Sequence, residues 1–170
     1  MNSETLVLAI VAAATCTAAA IDVRTRRIPN AFTMPLAASG VLLAASGWGT
    51  VGIGAALAGW SVGLLLMLPG YLIGATGGGD VKLFAAVGAF LGPSLMLPAL
   101  VHTAIAGAVL ALGVAAMRGR VAETLNGTSL LVMTGGKYAT ALEDPAVRNR
   151  FAYAPAIAVG AMLTASRWWV

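Results

Sequence analysis

Two aspartates are the residues of this chain best suited to do chemistry. Asp22 lies at the end of the first apolar stretch, in Ile21-Asp22-Val23-Arg24-Thr25-Arg26-Arg27-Ile28-Pro29-Asn30. Asp80 closes the run Gly77-Gly78-Gly79-Asp80 and is followed by Val81-Lys82. The 170 residues include only six acidic side chains, and these two abut membrane-type segments. An ionisable group at membrane depth is costly, so by default it marks function. Two carboxylates that meet there cannot comfortably ionise together; they share a proton, and one serves as base while the other serves as acid. Such a pair can polarise a water for attack on a peptide carbonyl and protonate the leaving amine, without a metal. Each residue also has a plainer reading. Asp80 would be the N-cap of a short helix after a flexible turn. Asp22 would be an interfacial carboxylate beside Arg24, Arg26 and Arg27.

Other chemistries find less support. Cys16 is the only cysteine and His102 the only histidine, so there is no internal disulfide and no cysteine-based metal site. The sequence calls for no metal and no cofactor. Cys16 reads as a small buried packing residue, and His102, deep in an apolar stretch, as an interhelical hydrogen-bonding residue. No G-x-S-x-G occurs to carry a serine nucleophile. The glycine run lacks the Lys-Ser/Thr of a phosphate-binding loop, and Asp80 would repel a phosphate. It makes better sense as a widened, hydrated pocket that admits an extended peptide beside a carboxylate.

The elements that must position these residues are membrane helices. The chain is 59% hydrophobic and 9% charged, with mean hydropathy +0.91. Soluble domains carry roughly 25% charged residues, so the fold class is all-α, a polytopic membrane protein of about six transmembrane helices. Residues 1–170 read as one membrane-embedded domain. The spans are Thr5–Ile21, Ala31–Ser46 (with Asn30 as its cap), Val51–Ala75, Val81–Leu91, about Ser94–Met117, and Phe151–Trp168. The first is roughly 25 Å long at 1.5 Å per residue, near the thickness of a bilayer core. The fourth is too short to cross unless the glycine run itself lies at membrane depth, where irregular backbone must be buried in protein or line a watery cavity.

Charge sets the orientation. Of ten basic residues, Arg24, Arg26, Arg27, Lys82, Arg118, Arg120, Lys137, Arg148 and Arg150 fall on one side of a six-span arrangement, and Arg167 on the other. The positive-inside rule puts that side in the cytoplasm, with a loop at about 118–150, both termini outside, and Asp22 and Asp80 at the same face. The net charge of +4 is thus accounted for by topology. No basic stripe interleaved with aromatics points to nucleic acid, and the expected surroundings are a lipid bilayer.

Small residues punctuate the helices. Gly59 and Gly63, and again Gly70 and Gly74, form G-x-x-x-G pairs that let helix backbones approach closely. Intramolecular packing is the plainer use of these faces, and homo-oligomerisation the sharper one. Trp48, Trp168 and Trp169 stand near span ends, as interfacial aromatics do, and Trp60 reads as packing.

With these motifs in view, the chain resembles the type IV prepilin peptidases, aspartic membrane proteases of the G-x-G-D class, and in particular their short form associated with Flp/Tad pili. Asp22 to Asn30 is similar to the family's D-x-[RK]-x-x-x-I-P-N stretch. Gly77 to Lys82 is similar to its G-x-G-D-x-K stretch, and Tyr153-Ala154-Pro155-Ala156-Ile157 to the P-Y-G-x-A-I segment opening its last helix. The resemblance runs from first span to last in family order. It implies that Asp22 and Asp80 are a catalytic dyad, that Gly77 and Gly79 are motif glycines, and that Lys82, Tyr153 and Pro155 serve the substrate side. It further implies removal of a short basic leader from a membrane-embedded prepilin or pseudopilin, at the cytoplasmic face of a bacterial inner membrane. Ala152 and Ala154 stand where the family has proline and glycine. The cysteine-bearing N-terminal domain of the long members, linked to N-methylation of the product, has no counterpart here, so methyl transfer is not expected.

Two rivals from other classes use the same aspartates differently. In a small proton- or cation-coupled transporter they would relay ions. In a structural subunit of a secretion or pilus assembly machine they would be interhelical anchors. Asp→Asn changes discriminate, because Asn can still anchor by hydrogen bonding.

Overall fold

The computed structural model describes residues 2–119, 121, 122, 126, 129, 133 and 152–166. Helix α1 is Ser3–Thr25, α2 Asn30–Ala45, α3 Ile53–Leu72 and α4 Gly78–Leu91. A single 3-10 turn, Pro93–Leu95, leads into α5, Met96–Met117, and α6 is Ala154–Ala165. The described residues contain no strand. By length and apolar composition α1, α3 and α5 with its leading turn are able to cross a bilayer, at 23, 20 and 25 residues. α2 and α6 are apolar but shorter. The protein is therefore an all-helical, polytopic membrane protein, as its composition predicts.

The shortness of α4 has a physical reason. From Asp80 to Leu91 every residue except Lys82 is buried. A helix that is apolar all round belongs inside a bundle. α4 packs chiefly on α3 and α2, with α1 and α6 on its remaining sides. Gly59 of α3 and Gly88 of α4 meet backbone to backbone, and a Cβ on either would strike the other's main chain. Gly63 packs the same way over Phe84, Ala85 and Met96. The Gly59/Gly63 face is thus taken up within the chain and is not free for a second copy. Gly70 and Gly74 do not act as a second such pair. α3 ends at Leu72, Gly74 sits in the following turn at φ 77°, and Gly70 packs on the Thr76 side chain.

α5 and α6 make a second close contact, where Gly160 admits Thr103. His102 Nδ1 and Thr164 Oγ1 lie 2.9 Å apart. The Thr164 hydroxyl donates to the Gly160 carbonyl at 2.8 Å, so it accepts from the imidazole N–H. His102 is the interhelical hydrogen-bonding residue its position implies. Leu97, Val101, Ile105, Val109 and Leu112 form an exposed apolar stripe on α5. In water such a stripe is a liability, whereas in lipid it is the solvent-facing surface.

Three expectations are corrected. Cys16 is exposed, because it falls on the outer face of α1, where lipid suits a weakly polar thiol. Trp60 is 36% exposed and also faces outward. Asn30 does not cap α2: Pro29 is the capping position, and the Asn30 amide is engaged elsewhere, as given below. Trp48 is exposed between α2 and α3, as an interfacial residue would be. Arg120, Lys137, Arg148, Arg150, Phe151, Arg167, Trp168 and Trp169, and most of the 118–150 loop, lie outside the described residues.

Candidate active site

α1 continues one turn past Asp22 before it stops. The stop is made by Arg26, which adopts the left-handed conformation (φ 53°) and donates its N–H to the Asp22 carbonyl at 2.7 Å. Among the described residues it is the one non-glycine with positive φ. The Thr25 hydroxyl lies 2.9 Å from the Ile21 carbonyl and 2.8 Å from that of Arg27, fastening the turn on both sides. The chain then carries Ile28 inward, where it is buried, and Pro29 opens α2.

The glycine run receives Ile28. A Cβ on Gly79 would lie 3.0 Å from Ile28 Cβ and 3.2 Å from its carbonyl oxygen. Gly79 is therefore small because the other aspartate's loop packs on it. Gly77 is the N-cap of α4, and its N–H donates to Asp80 Oδ2 at 3.0 Å. A Cβ there would crowd that same oxygen, so glycine lets the carboxylate fold back onto the helix end. Asp80 is thus the third residue of α4, reaching back to the cap without being the cap itself.

Both carboxylates are buried, Asp22 at 6% and Asp80 at 8% exposure. They line one cleft of about 250 Å³ together with Arg26, Arg27, Ile28, Gly77, Gly78 and Gly79. That is room for several waters. Asp80 precedes the apolar length Val81–Leu91, outside the three helices able to span. Burial pushes its carboxyl up, the Gly77 N–H pulls it down, and the Asp22 charge adds to the rise, leaving it at about 6 against an ordinary 3.8. At that value Asp80 holds its proton more tightly than a free carboxyl does.

The last helix reaches the site from the far end of the sequence. The main-chain N–H of Ala154, fully buried, donates to Asp22 Oδ2 at 3.2 Å. Tyr153 caps α6 and packs its ring on Gly107 of α5. Pro155 stands in the first turn of α6, where its missing N–H costs nothing.

Of the residues singled out from the sequence, Asp22, Asp80, Gly77 and Gly79 come together as walls of the cleft. Lys82, Tyr153 and Pro155 are not among its walls. Lys82 instead donates to Asn30 Oδ1 at 2.8 Å. Arg26, Arg27 and Ile28 line the cleft and were not picked out, although they lie inside the first aspartate motif. Ala154 was also missed. It acts through its main chain, which no residue type announces. Among the described residues no three histidine, cysteine or acidic side chains gather as a metal-ligand set.

The family model for the type IV leader peptidase family matches residues 9–112, a stretch that contains both aspartates. Comparison with curated proteins and with solved structures gave no match. With 104 of 170 residues matched and both aspartate motifs inside the match, the chain belongs to the type IV leader peptidase family and is a membrane-embedded peptidase.

Proposed function

We propose that Asp22 and Asp80 form the catalytic dyad of an aspartic endopeptidase that removes the leader from Flp-type prepilins or pseudopilins. The observation that carries this reading is two buried carboxylates lining one cleft, with Asp22 adding to the rise of the Asp80 carboxyl. Asp80 is the proton-bearing partner and Asp22 the base. Asp22 takes a proton from a water in the cleft, and the water oxygen attacks the scissile carbonyl. Asp80 donates its proton to the developing oxyanion and takes it back as the carbonyl reforms, while the proton gained by Asp22 passes to the leaving amine as the C–N bond breaks. Gly77 and Gly79 add no side chain of their own to the wall beside Asp80, where Gly79 seats Ile28, so that an extended substrate backbone can approach. Tyr153 and Pro155 act on the substrate side by shaping the α6 end of the site.

The substrate face is the cytoplasmic side of a bacterial inner membrane. Support comes from the exposed Arg24, Arg26, Arg27 and Lys82, which cluster at the end of the bundle that holds the cleft. A second reading, in which Asp22 is only an anchor between α1 and α6, draws on its bond to Ala154. Co-expression with a Flp-type prepilin tests the proposal. The expected result is a leader-sized mass loss that depends on this chain. An intact prepilin in cells that contain the inserted protein would refute it.

A further inference from the structure

α1 and α4, which carry the two aspartates, touch at few points. α1 packs mainly on α6, and α4 on α3 and α2. Helix packing alone therefore leaves the separation of Asp22 and Asp80 loosely set. The segment from Asp22 to Asn30 supplies what the helices do not. It is fixed at its start by the Arg26 N–H to the Asp22 carbonyl and in its middle by Ile28 against Gly79. At its end Asn30 Oδ1 accepts from Lys82 Nζ at 2.8 Å, across 52 residues of sequence. Lys82 is two residues beyond Asp80, so its side chain leaves α4 in a different direction and does not line the cleft. A charged donor on an amide oxygen makes a short, directional bond.

We propose that the Lys82–Asn30 hydrogen bond, with the Ile28–Gly79 contact, forms a strap that holds Asp22 and Asp80 in register, making Lys82 and Asn30 positioning residues for peptide cleavage. This rests on the dyad reading above. An exposed bond of this kind adds little to stability. Its effect is on geometry, where a displacement of about 1 Å can cost about a hundredfold in rate.

The test uses the full chain in proteoliposomes with a prepilin substrate, reading kcat, KM and thermal unfolding. Asn30→Ala and Lys82→Met are each expected to lower kcat about tenfold or more, with KM within about twofold and unfolding nearly unchanged. The double variant should be no worse than either single one, because both remove the same bond. Asn30→Asp, which keeps the acceptor and makes an ion pair, should restore most of the rate. Asp80→Asn is run beside them. If Asp80→Asn is dead while Asn30→Ala and Lys82→Met keep the wild-type kcat, the strap is wrong and the dyad stands. A raised KM at unchanged kcat would also overturn the strap, since it would mean direct substrate contact. Failure of Asn30→Asp to recover would do the same. An active Asp80→Asn would overturn the dyad and the strap together.

Discussion

Asp22 accepts a hydrogen bond at 3.2 Å from the backbone N–H of Ala154, a residue 132 positions further along the chain. The bond ties the end of α1 to the start of α6 and gives one carboxylate oxygen a fixed direction. A hydrogen bond to a charged group contributes about 1.5–3 kcal/mol. Replacing Ala154 by lactic acid, which exchanges the N–H for an oxygen without changing the side chain, should slow leader cleavage by about 10- to 100-fold. A rate equal to wild type would mean that Asp22 needs no such tether.

The carboxyl of Asp80 should titrate near 6, followed through its protonated C=O stretch in the infrared and identified by its absence in Asp80→Asn. Asp22→Asn removes one of the two causes that raise it, so the midpoint should fall. It should stay above 3.8, because burial is the larger cause. The sign for stability follows from the same shift. The folded carboxyl binds its proton more tightly than the unfolded one, so this group favours the fold fully below pH 3.8. That contribution is lost as the pH rises through about 6. A midpoint unmoved by Asp22→Asn would argue that the two groups do not feel each other.

Two glycines should fail in different ways. On Gly88 a Cβ would strike the Gly59 backbone, so Gly88→Ala should lower the unfolding temperature and the yield of inserted protein, as overpacking of about 1–3 kcal/mol would. On Gly79 a Cβ would press on Ile28 near the cleft, so Gly79→Ala should cut the rate per inserted molecule with a smaller loss of stability. Normal cleavage by Gly79→Ala would show that the fit between the two aspartate loops is not needed.

Reporter fusions at Thr50 and Pro93 should register the outside, and fusions at Thr76 and Thr128 the cytoplasm, following the placement of basic residues. A cytoplasmic signal at Thr50 would break the proposed topology.

Much of this was legible in the sequence. Length and apolar composition marked the helices, since lipid demands continuous apolar surface. Two aspartates in a chain so poor in acid marked the candidate site. What was not legible depends on which face a residue presents. Cys16 and Trp60 look like packing residues, but a membrane helix is apolar on its outer side as well, so hydropathy cannot tell core from lipid. Ala154 contributes only a main-chain N–H. Gly79 lines the cleft beside Asp80, and it also seats Ile28, a contact between segments some fifty residues apart that spacing does not announce. Asn30 looked like a helix cap, but its amide goes to Lys82, a partner that helix-end rules do not foresee.

The most direct measurement is the rate of leader release by the purified chain in proteoliposomes, with Asp22→Asn and Asp80→Asn compared at equal amounts of folded protein. Asn at position 22 can still accept from Ala154, so an anchoring role would survive the change and a base would not. The account predicts a loss of at least about a thousandfold in each single variant, and no further loss in the double, because a dyad acts as a unit. Substantial cleavage by either single variant would contradict it.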